Sequence, residues 1–221
     1  MGIRRKDRTL NEPKPFIAPQ PIEVNDDHYR GLHPDDIAYP LVETVGGQDG
    51  TRSLELRAFT RKGLEQLRRI ANEQFLPALD ALGLNCAVLC EKRRDSGTRG
   101  RITLGVCFNA GRKAQESGQR QLIMLRQPDA DSPRVAAVLL HEMAHLLEDN
   151  HAEGFRKQHG EFIAWAVGND TPFSEWRKQL LALAKGDSYR PIPPIGSWDD
   201  YAAAVEEATS SEEVSNDSAA A

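Results

Sequence analysis

Cysteine is scarce in this chain, with three among 221 residues and none after Cys107. An odd number of cysteines without a secretory signal predicts free thiols rather than a disulfide framework. No two of the cysteines show the Cys-x-x-Cys spacing that is typical of structural zinc sites. The sequence therefore excludes a small disulfide-stabilised scaffold, and it also excludes a cysteine-rich zinc ribbon after position 107.

Long hydrophobic runs are also missing. No apolar stretch approaches the ~20 residues that a membrane helix needs, and the charged start, Met1 to Arg8, lacks the apolar segment of a signal peptide. We therefore expect a cytoplasmic protein that does not contact a membrane. The net charge of −5 is concentrated outside the middle of the chain, and this distribution gives no strong indication of a nucleic-acid-binding protein.

Proline content and hydrophobic periodicity divide the chain into three parts. Residues 1–51 contain six prolines among polar residues, which predicts an extended or disordered lead-in. Residues 52–184 hold the periodic segments of a single folded domain. Residues 185–221 contain Pro191-Ile-Pro-Pro194 and end in Ala, Ser and Glu, which predicts a linker and an acidic disordered tail.

The middle part predicts an α+β fold. Apolar residues at helical spacing begin after Thr60, which is a suitable N-cap, and end before Gly83. Residues 53–59 fit either a short strand or the first turn of this helix. Three segments with strand character follow, and we expect them to form a small, mostly antiparallel three-stranded sheet: Leu84 to Glu91, Ile102 to Asn109 and Gln121 to Arg126.

One apolar segment carries polar residues of the types that bind metals or take part in catalysis. Asp131-Ser132-Pro133 supplies an N-cap followed by proline at the first helical position. The residues that follow are apolar nearly all round, which predicts a helix buried in the middle of the domain. Within this apolar helix, the polar residues are His141, Glu142 and His145. Buried polar groups need partners, and a metal ion would supply them.

The spacing of these residues predicts a zinc site. His141 and His145 are four residues apart, so both side chains leave one face of a helix and can converge on a single ion. Glu142 projects ~100° away from His141, close enough to hold a water beside the metal without being a ligand. A chain reversal after Asp149-Asn150 would return His151 as the third ligand. Three protein ligands with an open fourth position are typical of catalytic zinc.

Two more helical patterns follow the third histidine. The first places His159 on the same face as Phe155 and Phe162, and the second runs from Ser174 to Ala184. We expect His159 either to support a ligand from behind or to pack in the core, with stabilisation of an oxyanion as the less favoured alternative. The candidate partners for the outer nitrogens of the ligand rings are acidic residues nearby in the sequence: Asp149, Glu153 and Glu161.

The motif resembles the SprT-like and WLM group of zinc metallopeptidases. The resemblance lies in His141-Glu-Met-Ala-His145, five intervening residues, His151, and then Phe155, and with the order of elements it covers roughly residues 60–165. It implies a zincin-like fold and one bound Zn²⁺, with His141, His145 and His151 as ligands and Glu142 as the general base. In similar peptidases the substrate lies extended along an edge strand, for which the candidate here is Gln121 to Arg126.

The sequence departs from related patterns at two points. Metzincins share the ten-residue step from His141 to His151, but they have Gly where this chain has Glu148, and no Met-turn is recognisable, so they rank second. Many SprT-like proteins carry a cysteine-rich zinc ribbon associated with DNA, which this chain lacks. A basic loop offers weak DNA contact as an alternative to an ordinary solvated turn, through Lys92, Arg93, Arg94, Arg99 and Arg101.

Taken together, the sequence predicts a zinc metallopeptidase that hydrolyses a protein or peptide substrate by metal-activated water, with Glu142 as general base. One alternative is a zinc-stabilised, nucleic-acid-associated binding or regulatory module without protease activity. Another is a metal-dependent hydrolase of a non-peptide amide. These functions differ in whether zinc is held and in whether Glu142 is needed for turnover.

Overall fold

The computed structural model describes residues 33–46, 52–92 and 103–207. Its architecture is α+β, as the sequence predicts. The strands are β1 Leu41–Gly46, β2 Ser53–Ala58, β3 Val88–Lys92, β4 Gly105–Phe108 and β5 Leu122–Arg126. The helices are α1 Arg61–Ile70, α2 Leu76–Ala81, α3 Arg112–Glu116, α4 Pro133–His145, α5 Glu153–Ala166, α6 Arg177–Gly186 and α7 over residues 198–207. Within these ranges, no helix has the length and apolar character needed to span a bilayer.

The sheet has five strands in the order β1-β2-β3-β5-β4. The outer pairs, β1 with β2 and β4 with β5, are antiparallel, whereas β3 runs parallel to both β2 and β5. The prediction of a mostly antiparallel three-stranded sheet is therefore wrong. Residues 53–58 form a strand, and the helical connection from β2 to β3 brings the chain back in the same direction, which makes the pair parallel.

The position of β5 also corrects the predicted substrate strand. Leu122–Arg126 is paired on both sides, with β3 and with β4, so its backbone groups are used within the sheet. The edge strand that contacts α4 is β4 instead. The sequence order of the strands does not reveal this, because β5 inserts between β3 and β4.

The predicted lead-in contributes to the folded body. β1 pairs with β2 over six residues, and Val45 in it is 9% exposed. Ile37 and Tyr39 cover the second face of the sheet, where they pack against Val88 and Cys90. The prediction of an extended or disordered segment is thus wrong for residues 33–46, because pairing with a distant strand orders them. Residues 1–32 lie outside the described residues.

The predicted linker and tail are ordered as far as residue 207. We call residues 187–198 the strap, because they cross α5 and end at a buried tryptophan. Ile192 donates its N–H to Arg156 O at 2.8 Å, and Trp198, 3% exposed, donates Nε1–H to Pro191 O at 2.9 Å. A Cβ on Gly160 would overlap the Ile192 carbonyl. The strap therefore depends on tertiary contacts that composition does not reveal; residues 208–221 lie outside the described part.

Helix boundaries follow the predicted signals. Thr60 Oγ1 accepts the Gly63 N–H at 2.9 Å at the start of α1, and Gly83 has φ +65° after α2. A wide π turn, Ala71–Phe75, joins α1 to α2 just before Pro77. Proline removes a backbone donor and crowds the preceding turn, so the wider turn accommodates Pro77.

Candidate metal centre

Helix α4 positions three of the predicted site residues. Ser132 caps it by accepting the Val135 N–H, and Pro133 occupies the first turn. The helix ends at His145, and a turn over residues 146–151 reverses the chain. The turn is fixed to the rest of the domain, since Gly111 N donates to His145 O at 2.9 Å and Gln121 Nε2 donates to Leu146 O at 2.9 Å.

The three predicted ligands meet at their Nε2 atoms. His151 Nε2 lies 3.1 Å from His141 Nε2 and 3.1 Å from His145 Nε2. Two imidazole nitrogens bound tetrahedrally at ordinary Zn–N distances would be roughly 3.3 Å apart. The three histidines therefore fit a zinc ion, and they bring together a helix face and a chain reversal as the sequence predicts.

The outer ring nitrogens are held from behind. His145 Nδ1 lies 2.8 Å from Glu148 O, and because a carbonyl only accepts, Nδ1 carries the proton. His141 Nδ1 lies 3.5 Å from the carboxylate of Asp187 in the strap. Protons on both Nδ1 atoms leave the Nε2 lone pairs directed into the site. This is the usual arrangement of zinc-binding histidines.

Burial keeps two of these rings neutral. It lowers the pKa of His145 to about 4, and it also lowers the pKa of His151, with the nearby His141 acting in the same direction. Zinc binds the neutral imidazole, so these shifts favour ligation at neutral pH. Burial opposes ionisation of Asp187, but hydrogen bonds from His141 and from the Tyr189 N–H outweigh it and lower its pKa.

Glu142 lies beside the histidines in a buried position. It is 5% exposed, and burial raises its pKa to about 7 even though His141 and a hydrogen bond from the Cys107 backbone act in the opposite direction. A cation held by the three histidines would favour the ionised form again. Such a carboxyl group is suited to accepting and returning a proton near neutral pH.

An open cleft of about 750 Å³ gives access to this group of residues. Its walls come from β4, α4 and the start of the strap, including Gly105, Val138 and Tyr189. The Tyr189 ring stacks on His151, with centroids 3.5 Å apart and planes at 10°. The histidines line this cleft together with Glu142.

Comparisons of the chain with protein-family models, with curated proteins and with solved structures found no match in any of the three. The resemblance to SprT-like and WLM peptidases thus stays a prediction from the motif. The function is inferred from the residues and their geometry.

His159 is close to the metal centre but binds none of its ligands. It is 2% exposed, its ring centroid lies 5.1 Å from that of His141, and neither ring nitrogen has a hydrogen-bond partner in the described residues. The other predicted supports are not confirmed: Asp149 accepts from Asn150, Glu153 pairs with Lys157, and Glu161 accepts from Gln158. The supports found are Glu148 O and Asp187.

Three residues of the site were missed by sequence reasoning. Asp187 and Tyr189 lie in the segment predicted as a linker, where one acid among many carries no signal. Gly105 had a usable signal, because a glycine inside a predicted strand marks a close approach. A Cβ there would lie 2.6 Å from Glu142 Oε1 and 2.7 Å from Val138 Cγ1, so Gly105 lets α4 approach β4.

The predicted DNA contact receives little support. Lys92 is 9% exposed, and its Nζ donates to Thr103 O at 3.4 Å, so it is not a free basic side chain on a loop. The other residues of that prediction are Arg93, Arg94, Arg99 and Arg101, which lie outside the described residues.

Proposed function

We propose that this protein is a zinc-dependent peptidase whose centre is His141, His145 and His151, with Glu142 as the general base. The observation that carries the proposal is the convergence of three Nε2 atoms beside a buried carboxyl group in an open cleft, with His151 Nε2 3.1 Å from each of the other two. Three nitrogen ligands with room for a fourth are typical of catalytic zinc. The same proposal includes a zincin-like domain related to SprT-like peptidases, acting in the cytoplasm.

Zinc bound here would supply Lewis-acid chemistry, which polarises a carbonyl and makes a nearby water more acidic. The chain supplies the proton transfers. Glu142 accepts a proton from the attacking water at its carboxylate and returns it to the departing amine. Its burial and its hydrogen bond from the Cys107 backbone hold the carboxylate in one position, while Gly105 leaves the space that it occupies.

The edge strand β4 offers backbone groups to an extended substrate. Leu104 O accepts from Arg126 N at 2.8 Å, so Leu104 forms a hydrogen-bonded pair across to β5. In an antiparallel pair the next residue turns its peptide groups away, which directs those of Gly105 toward the cleft. A peptide added to this edge would be bound through its backbone, with weak sequence preference.

The test compares wild type with Glu142→Gln for zinc content and for cleavage of an unfolded protein substrate. We expect one tightly bound zinc in both, and a loss of roughly 10²- to 10⁴-fold in cleavage rate for the variant. Glu148→Gln is the matched control, because its backbone carbonyl still supports His145, and it should cleave like wild type.

Three results would contradict the proposal. Wild-type protein that takes up no zinc would remove the metal centre. Zinc retention with unchanged turnover in Glu142→Gln would exclude Glu142 as the general base. Zinc retention without any hydrolysis by wild type would favour the binding-module alternative.

A further inference from the structure

His159 presents an unexplained pair of ring nitrogens. Its side chain is 2% exposed on α5, it borders the cleft, and neither nitrogen has a hydrogen-bond partner in the described residues. A buried polar group without a partner is costly, so natural proteins rarely keep one without a ligand, water or ion. A role in supporting a zinc ligand would require a hydrogen bond to that ligand, and His159 makes none.

Two other ligand-type groups lie close to this ring. His141, His159 and Asp187 each offer a ligand atom, and these atoms all lie within 4.8 Å of one another. Asp187 reaches the cluster from the strap, and its carboxylate is 3.5 Å from His141 Nδ1. The Nε2 atom of His141 faces His151 instead. His141 therefore presents one nitrogen to each of two clusters.

We propose that His141, His159 and Asp187 form a second zinc site, which shares the His141 ring with the first. Two imidazole nitrogens and one carboxylate oxygen are ligands that zinc accepts. On binding, His141 Nδ1 exchanges its proton for the second ion, and the proton passes to solvent. Asp187 exchanges its hydrogen bond from His141 for a bond to the metal, and His159 gains the partner that it lacks.

The second site is weaker than the first. In the first site His151 Nε2 lies 3.1 Å from each of the other two Nε2 atoms, whereas in the second cluster His141 Nδ1 and the Asp187 carboxylate are 3.5 Å apart. Binding at the second site also removes the remaining ring proton of His141, which a neutral imidazole holds tightly, and it places a second cation one imidazole ring away from the first. Zinc should therefore fill the first site when less than one equivalent is present, and the second site only when zinc is in excess.

The experiment is equilibrium dialysis of metal-free protein against rising concentrations of zinc, with elemental analysis of the bound metal. Wild type should bind one zinc tightly and a second more weakly. His159→Asn and Asp187→Asn should each bind only one zinc at saturation. The matched control is Asp149→Asn, an acid that borders the same cleft outside the cluster, and it should still bind two.

Saturation of wild type at one zinc, or two zincs in both variants, would overturn the second site. If His159→Asn does not fold, as judged by circular dichroism, Asp187→Asn decides, because its side chain is only partly buried and the exchange preserves its shape. The proposed peptidase centre is tested separately, since His145→Ala should abolish the tight zinc while the weaker zinc remains.

Discussion

The two histidines on α4 are held in contrasting ways. His145 is oriented by Glu148 O in the turn that follows it, whereas His141 is oriented by Asp187, which the strap brings from beyond α6. The first support is a backbone atom of a turn that receives hydrogen bonds from Gly111, Arg112 and Gln121. The second is a side chain on a segment that lies across α5. One half of the centre is therefore built locally, and the other half depends on tertiary docking.

Losing a ligand and losing the group that orients it should therefore have different effects on zinc affinity. The turn keeps its backbone hydrogen bonds from Gly111 and Arg112 even if the Gln121 side chain is changed, but the strap can be weakened at one residue. Changes in the strap should therefore reduce zinc affinity without abolishing it, whereas changes to the ligands should abolish it.

The largest expected effect comes from His151→Ala, which removes the ligand supplied by the turn. Zinc affinity should fall by at least ~10³-fold, because two ligands remain and the site loses the charge-free third donor. Competition with a chromogenic chelator measures it. His33→Asn is the control, since His33 lies elsewhere, against Phe108, and its loss should leave zinc affinity unchanged. Equal affinities for the two variants would show that His151 is not a ligand.

Asp187→Asn should have an intermediate effect, because it removes the anionic partner of His141 but keeps every ligand of the first site. Loss of such partners weakens zinc binding by about 10- to 100-fold. The same chelator competition, at zinc below one equivalent, reports the first site alone. An unchanged affinity would mean that the strap does not orient His141.

Gly160→Ala tests docking of the strap itself. The added methyl group would overlap the Ile192 carbonyl, so either the strap or α5 must shift. We expect a loss of about 1–3 kcal/mol in the free energy of unfolding, measured in urea. The control is Gly186→Ala, where a Cβ meets no atom within 4 Å. Equal stabilities of the two variants would show that the strap is not packed on Gly160.

The smallest effect is on the pH dependence of metal-free stability. Burial lowers the pKa of His145 to about 4 and that of His159 to about 3, against ~6.5 when unfolded. Below pH 6.5 the unfolded chain therefore binds protons that the folded chain excludes. As pH falls toward 5, each of these two histidines lowers the free energy of unfolding by about 1.4 kcal/mol per pH unit. His151 acts in the same direction. Glu142, with its pKa raised to about 7, opposes them, because the folded state takes up its proton first.

His159→Asn should therefore make the stability of the metal-free protein less sensitive to acid. Urea unfolding at pH 7 and at pH 5.5 gives the slope for each protein. Between these two pH values the loss of stability should be smaller in the variant by the contribution of one group, about 1.2 kcal/mol in total for an unfolded pKa of ~6.5. An identical slope would show that His159 is not a buried neutral imidazole.

The sequence was sufficient for the local half of the centre. The four-residue step from His141 to His145 and the cap at Ser132 follow from helix geometry, and Asn150 lies in the turn that returns His151. Those signals involve residues close together in the chain. They predict the ligand group without any knowledge of the sheet.

The sequence was not sufficient for the half built by long-range contacts. Asp187 resembles any other acid in an acidic flank, and its position depends on Gly160 admitting Ile192 and on burial of Trp198. The same reason explains the sheet. β1 is ordered by pairing with β2, and β5 lies between β3 and β4. The alternation of apolar and polar residues along a strand reveals neither the neighbours of β5 nor the edge strand.

The most direct test of the metal centre is zinc-edge X-ray absorption on protein loaded with one equivalent of zinc. We expect nitrogen and oxygen neighbours only, at about 2.0–2.1 Å, with the outer-shell scattering of three imidazoles. His151→Ala should show fewer imidazoles. Sulfur neighbours at about 2.3 Å, or fewer than three imidazoles in wild type, would contradict a zinc centre formed by His141, His145 and His151.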